Sequence, residues 1–503
     1  MKFEPARNDL ILMAILFLGL FLRVYDLSDE SVWYDEAFSI ELANSSISGV
    51  INGSAQDIHP PLYHILLHYW INLFGDSEFS TRFMSVVFGV FAIFMIYKVG
   101  SLILDEEAGI LSALLLALSS FHIYYSQEAR MYSLMALLTL LSMYFFLKIL
   151  RNRNVTDVVG YVLSSTFLIY THYFGLFIIL TQNIYIFTLF LLKEDDYKQT
   201  FKRWVPLQLI LIVLFSPWIM VFIRQVLLAQ SGYGIGWMPR PTIHSIIRSF
   251  SLYSGSNLLL AFFLILSSFS LVPYRRLYGG NNSKNSFESG QNHELKIELP
   301  NFKASYLLSV WLLIPIVLPF LISQVSASIY WDRSTIVALP AFYLLVAAGI
   351  RKIGHKCLKL VIIGAVIIGS LAGVWGCHST VNKQQWRGIA NFIGEKAKKG
   401  DLLLFNAGFN ELPFDYYSKR TDLIKKPFPE DASDVDEHNI KELEPTVKGY
   451  NRVWVILAHS GDFNGRIKKI LSQSYNLSYS KEYESITHNK YHHIVEVSLF
   501  EKK

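Results

Sequence analysis

Residues 10–39 read LILMAILFLGLFLRVYDLSDESVWYDEAFS, an apolar run that gives way at Asp26 to an acidic, aromatic segment. A hydrocarbon core about 30 Å thick needs about 20 largely apolar residues per helix. This run, behind Lys2 and Arg7, is the first of such stretches; the others lie near 82–103, 108–122, 131–150, 157–172, 174–192, 205–223, 257–273, 305–323, 335–350 and 358–376. The first run resembles a signal peptide only in position, because Val24-Tyr25-Asp26 offers no small-residue cleavage site. It is read as a retained anchor. The expectation is a polytopic α-helical membrane protein with about eleven transmembrane helices.

Composition agrees. Of 503 residues, 52% are hydrophobic and 17% charged, against about 25% charged in globular proteins, and the mean hydropathy is +0.33. A chain this apolar cannot stay solvated as a disordered segment. The net charge of +5 is small for the length and gathers into no patch, which argues against nucleic-acid binding. Two cysteines exclude a disulfide scaffold and a Cys-rich zinc module. Cys357 and Cys377 flank the last run and are expected on opposite sides of the membrane, unable to pair.

Lys and Arg set the orientation. With a cytoplasmic N-terminus, the inner segments carry Lys148, Arg151 and Arg153, then Lys193, Lys198, Lys202 and Arg203, then Arg275 and Arg276, then Arg351, Lys352, Lys356 and Lys359. The first outer loop, 26–81, holds nine carboxylates and no Lys or Arg. The expectation is a plasma-membrane protein, N-terminus inside. Residues 1–376 form the membrane domain. Residues 377–503, rich in Lys, Glu, Asp and Asn, form a small extracytoplasmic α/β domain. Its expected elements are a helix at 385–398 and strands at 401–406, 452–458 and 493–497. Residues 281–299 are polar and read as an inner linker. The absence of a convincing internal repeat lowers the case for a repeat-built transporter.

Four segments in the outer loops carry the chemistry: Trp33-Tyr34-Asp35-Glu36, Asp57-Ile58-His59-Pro60-Pro61-Leu62-Tyr63, Glu128-Ala129-Arg130-Met131-Tyr132, and Tyr330-Trp331-Asp332-Arg333. In this order they resemble the GT-C glycosyltransferases, in particular the branch of protein O-mannosyltransferases and lipid A aminoarabinose transferases. Trp386-Arg387, opening the C-terminal domain, is similar to many members too. The resemblance implies a GT-C fold and sugar transfer from a polyprenyl-phosphate donor, dolichyl or undecaprenyl, to a protein, glycan or lipid acceptor on the outer face. It names Asp35, Glu36 and Glu128 as the catalytic acids, and it places His59 at a basic position before Pro-Pro.

The chemistry can be weighed beside that resemblance. A sugar on a lipid phosphate already has a good leaving group, so an inverting transfer needs a base for the acceptor hydroxyl and positive charge at the departing phosphate. Asp35 is the candidate base, the alternative being a solvated carboxylate or a cap for a helix beginning at Ala37. Glu36, in an extended segment, points the other way and is expected to hold the loop. Glu128 is a metal ligand, an acceptor orienter or a partner for Arg130. Outside the C-terminal domain the outer basic residues are all Arg: Arg82, Arg130, Arg224, Arg240, Arg248 and Arg333. Arg suits phosphate through its bidentate fork. Arg130 and Arg333 are expected at the donor phosphate with His59, whereas Arg82, Arg224 and Arg248 are expected to reach into headgroups.

Tyr34, Tyr63, Tyr132 and Tyr330 are the expected substrate-lining aromatics, taken from a set that includes the interfacial belt. Asp35, Glu36, Asp57, His59 and Glu128 leave a divalent cation open, yet no spacing among them is diagnostic of a ligand set. The alternative function class is a transporter or lipid flippase. It calls for ionisable groups in mid-span or broken paired helices, whereas the acids and Arg here sit at the outer ends.

Overall fold

A computed structural model describes residues 5–151, 154–193, 197–271, 300–380, 382–430, 434–462, 464–486 and 492–503. The linker expected at 281–299, and Arg153, Arg275 and Arg276, lie outside the described residues.

Each expected apolar stretch falls on a helix or a bent pair of helices, apart from positions 272–273, which lie outside the described residues. Among the described residues six helices are long and apolar enough to cross a membrane: Glu78–Ile103, Tyr132–Arg151, Lys198–Gln230, Lys303–Val325, Asp332–Arg351 and Lys356–His378. Two bent pairs raise the number to eight, Glu106–Ala117 with Ser120–Ser126 and Ile243–Ser254 with Asn257–Leu271. Val155–Thr171 and Gly175–Leu191 are apolar but shorter, and Pro5–Val24 carries charges at both ends. The chain is a multi-pass membrane protein.

Each bend has an identifiable cause. At the 62° break, Ser119 accepts from the His122 amide and starts a new helix, while Arg23 donates to the freed carbonyls of Leu116 and Ala117 at 3.0 and 3.2 Å. At the 90° break, Gly255 takes a left-handed φ of 80° that a side chain would strain. The innermost span is buried at every position from Leu339 to Ile350. Lys356–His378 lies at the rim, with Ile368 72% and Trp375 75% exposed. Such apolar exposure suits lipid as the solvent.

The segment expected as an outer loop is itself helical: Tyr34–Asn44, Ile47–Gln56 and Leu62–Phe74. The first starts at Tyr34 rather than Ala37, so Asp35 is no cap. Asp35 and Glu36 occupy its first turn, where carboxylates oppose the helix dipole favourably. Successive residues on a helix diverge by about 100°, so these neighbouring carboxylates still point apart.

The C-terminal part holds a five-stranded sheet of β1 (Leu402–Asn406), β2 (Ile424–Pro427), β3 (Arg452–Ala458), β4 (Tyr475–Ile486) and β5 (His492–Lys502). The spatial order is β2-β1-β3-β5-β4. β1 pairs in parallel with β2 and β3, and β5 runs antiparallel between β3 and β4. Alternate residues feed two cores. Leu403, Phe405, Trp454 and Ile456 meet Trp386, Ile389 and Ile393 of helix Trp386–Lys396 on one face, while Leu402, Leu404, Val453 and Val455 meet Leu443, Val447 and Ile467 on the other. β2 and β4 are the strands sequence reading missed.

This unit is fastened to the segment after the first span. Arg387 bonds the Ser28 carbonyl at 2.6 Å and pairs with Glu78. The Tyr417 hydroxyl accepts from the Val32 amide at 2.6 Å, and Tyr416 donates to the Asp76 carbonyl at 2.8 Å.

Candidate active site

A cavity of about 1180 Å³ opens where the four quoted segments meet, and Asp35, His59, Glu128, Arg130, Tyr132 and Arg333 all line it. Its lining also includes an apolar set, Phe177, Phe222, Val226, Ile322 and Ile329.

Asp35 accepts from Arg333 Nη1 at 2.7 Å. The Arg333 guanidinium lies 5.6 to 6.0 Å from the ring centroids of Tyr132, Trp33 and Trp237, within cation–π range. Arg130 donates through Nη1 to the Asp35 carbonyl at 3.2 Å and Ser39 Oγ at 2.9 Å, and its buried Nε has no hydrogen-bond partner. Burial alone would raise the Asp35 pKa. The Arg333 and Arg130 charges outweigh it and hold the carboxyl below its ordinary value. Asp35 is therefore ionised at neutral pH and two cations stand beside it.

Glu36 faces away from the cavity. Its fully buried carboxylate accepts from Arg82 Nε at 2.8 Å and Nη2 at 2.7 Å, from the Ala129 amide at 2.9 Å and from Lys383 at 3.2 Å. Burial would push its pKa up, but Arg82 and Lys383 pull it down to about 2. Arg82 further bonds the carbonyls of Leu27, Glu30 and Ser31. It is a buried strut rather than the headgroup anchor expected. Arg248 is likewise no headgroup anchor, since it pairs with Asp332 at 2.6 Å. Arg224 and Arg240 are exposed.

Glu128 is 1% exposed, and its Oε2 has no hydrogen-bond partner. The pairing with Arg130 considered from the sequence does not form, because Arg130 turns to Asp35 and Ser39. Burial, with Glu36 and Asp35 nearby, pushes the Glu128 carboxyl up to about 7 against the opposing pull of Lys383 and Arg333. It is poised to hold or release a proton near neutrality.

His59 Nδ1 lies 2.9 Å from Asp57 Oδ2. The His172 ring is 5.6 Å from that of His59, and its Nδ1 accepts from the Phe174 amide at 3.1 Å. Burial, reinforced by His59 and Arg130, keeps the His172 pKa well below its ordinary value, so the ring is neutral with its proton on Nε2.

Of the expected lining tyrosines, Tyr34 and Tyr132 line the cavity, and burial beside Asp35 pushes the Tyr34 hydroxyl up to about 12. Tyr63 and Tyr330 do not line it. Both are buried, Tyr63 against Ser85 Oγ at 3.3 Å and Tyr330 against Ser249 Oγ at 2.8 Å. Among the described residues no three His, Cys, Asp or Glu side chains converge as a metal ligand set.

Sequence reading missed His172 and Lys383. His172 stands in the short link between two apolar runs, with no motif around it. Lys383 follows the last span by a few residues, inside the Lys-rich C-terminal part, and nothing in its local sequence sets it apart.

Comparison with known proteins bears on this arrangement. A family model described as dolichyl-phosphate-mannose-protein mannosyltransferase matches residues 58–221. The solved structure of ArnT from Cupriavidus metallidurans bound to undecaprenyl phosphate superposes with a TM-score of 0.62 at 11% identity, covering 98% of each chain. The chain has the GT-C fold. The archaeal oligosaccharyltransferase AglB from Archaeoglobus fulgidus, in complex with an inhibitory peptide and a dolichol-phosphate, shares this GT-C fold over 89% of this chain and 69% of its own. Its TM-score is 0.52 and its identity 11%. No curated protein sequence matches the chain.

Proposed function

We propose that this chain is a membrane glycosyltransferase that moves a sugar from a polyprenyl-phosphate donor to a hydroxyl acceptor, with inversion at the anomeric carbon. One observation carries the reading: an ionised carboxylate, Asp35, shares a cavity with Arg130, Arg333 and His59, and that cavity has an apolar wall. The relatives support the donor class. ArnT was solved with undecaprenyl phosphate and AglB with a dolichol-phosphate.

In this mechanism Asp35 takes the proton of the acceptor hydroxyl as its oxygen forms a bond to the anomeric carbon. The bond from that carbon to the phosphate oxygen breaks from the opposite face, and its electron pair leaves with the lipid phosphate. Arg333, Arg130 and His59 meet the charge growing on that phosphate. Arg333 uses one of its five N–H donors on Asp35, which lets it couple base and leaving group. Glu36 positions the loop through Arg82. The N-terminus is cytoplasmic and the site lies on the outer face of the plasma membrane.

The test is reconstitution with polyprenyl-phosphate sugars and measurement of donor-dependent label transfer. General-base catalysis is worth about 10²- to 10⁴-fold, so Asp35→Asn should lower transfer by that factor while the protein still inserts. Normal turnover by that variant removes Asp35 from the role. A wild type that consumes no donor but carries a solute across the bilayer would instead be a transporter.

A further inference from the structure

In open α/β sheets small molecules bind at the carboxyl ends of parallel strands, where the chain leaves for opposite sides and the loops splay apart. Here that point lies between β1 and β3, since the chain passes from β1 to β2 on one side and then to β3 on the other. Phe409 sits in the turn Gly408–Asn410 that follows β1, and His459 comes directly after β3. Both line the cavity that holds Asp35.

The details mark this edge as built for contact. Every β1 residue is buried, yet Phe409 keeps 39% of its surface exposed. Its ring centroid lies 4.6 Å from that of Tyr34, the residue before Asp35, and 6.0 Å from that of His459. His459 holds a left-handed φ of 50°, a conformation that costs a non-glycine residue energy and clusters at functional sites. Trp386 Nε1 donates to Gln384 Oε1 at 2.9 Å, which turns the Gln384 amide N–H to His459 Nε2, also at 2.9 Å. The imidazole therefore carries its proton on Nδ1.

We propose that Tyr34, Phe409 and His459 form an acceptor subsite for a saccharide. The apolar C–H face of one sugar ring lies on the aromatic wall, its hydroxyl rim meets His459, and one hydroxyl turns toward Asp35. The proposal rests on the transferase reading and narrows its acceptor to a glycan or glycolipid. A peptide fits this edge less well. β1 is paired on both sides, so an extended chain finds no open strand to join.

The experiment uses full-length protein in nanodiscs and ligand-observed saturation-transfer NMR, with methyl mannoside, methyl glucoside and methyl galactoside as probes and a Ser/Thr-rich peptide beside them. At least one hexoside should receive saturation, strongest at its ring C–H protons. Phe409→Ala should weaken its binding by about tenfold, and Phe409→Trp should restore it. Undecaprenyl phosphate binding should be equal in all of these, which shows the cavity is still formed. His459→Asn, which tolerates the left-handed backbone, is a second variant that should weaken hexoside binding. Hexoside binding unchanged in Phe409→Ala, or peptide binding in place of hexosides, overturns the subsite. Hexosides bound through Phe409 by a protein that consumes no donor would retire the transferase reading and leave the subsite standing.

Discussion

Glu36→Gln takes one charge from a pair in which neither partner can turn to water. The two side chains are 0% and 1% exposed. A carboxyl held at about 2 in place of 4.5 corresponds to about 3 kcal/mol in favour of its ionised form. The shift is downward, so this stabilisation is complete above pH 4.5 and is lost as pH falls through 2. Removing one partner of a buried pair costs about 3–5 kcal/mol by a separate route, and the two figures agree. At about 2 °C per kcal/mol, the lower end for larger domains, the unfolding midpoint at pH 7 should fall by about 6 °C. The assay pairs a thermal scan in detergent with transfer measured at a temperature where the variant is fully folded. Glu36→Gln should lose midpoint and keep most of its transfer per folded molecule, whereas Asp35→Asn should do the reverse. A Glu36→Gln protein with an unchanged midpoint and abolished transfer would refute the assignment of Glu36 to positioning.

Glu128 holds its proton up to about pH 7, so its contribution to stability is complete below 4.5 and is lost as pH rises through 7. Glu128→Gln should flatten the decline of the midpoint between pH 5 and 8 and remove the step near 7 from the pH profile of transfer. Lys383→Met deletes a charged donor to Glu36 and to the Gln127 carbonyl. It should cost about 1.5–3 kcal/mol in the thermal scan, and it should move the Glu128 step upward, because Lys383 lowers that pKa. Arg333→Lys keeps a charge but loses the flat face over Tyr132, Trp33 and Trp237. Undecaprenyl phosphate binding, followed by titration calorimetry, should weaken about tenfold, and an unchanged affinity would move the phosphate elsewhere.

Local features were legible where one property decided the outcome. Hydropathy alone located the stretches that became helices, from 82–103 inside Glu78–Ile103 to 358–376 inside Lys356–His378. It did not show that Glu106–Ser126 is bent, since that depends on Arg23, far away in sequence, taking up two carbonyls. Strand β1, an unbroken LLLF run, was readable, whereas β4 hides as a polar edge and β2 ends on Pro427. At the site, Asp35, His59, Arg130 and Arg333 could be nominated because each has a motif around it. The partners of Arg82 could not. A buried Arg and a headgroup Arg have the same local sequence, and only the fold brings Glu36 within 2.7 Å.

The Lys383 contact to Glu36 spans 347 residues, and this has a consequence for biogenesis. During synthesis the Asp35–Glu36 turn leaves the ribosome with the first span, long before the lysine that helps neutralise it. Every later span must be threaded before Lys383 can arrive. A stalled or truncated chain thus carries Asp35 on an incompletely braced turn, and the finished cavity is a readout of complete insertion. Quality control could gauge that completion by the protection of residues 26–39 from protease, without waiting for any sugar to be transferred.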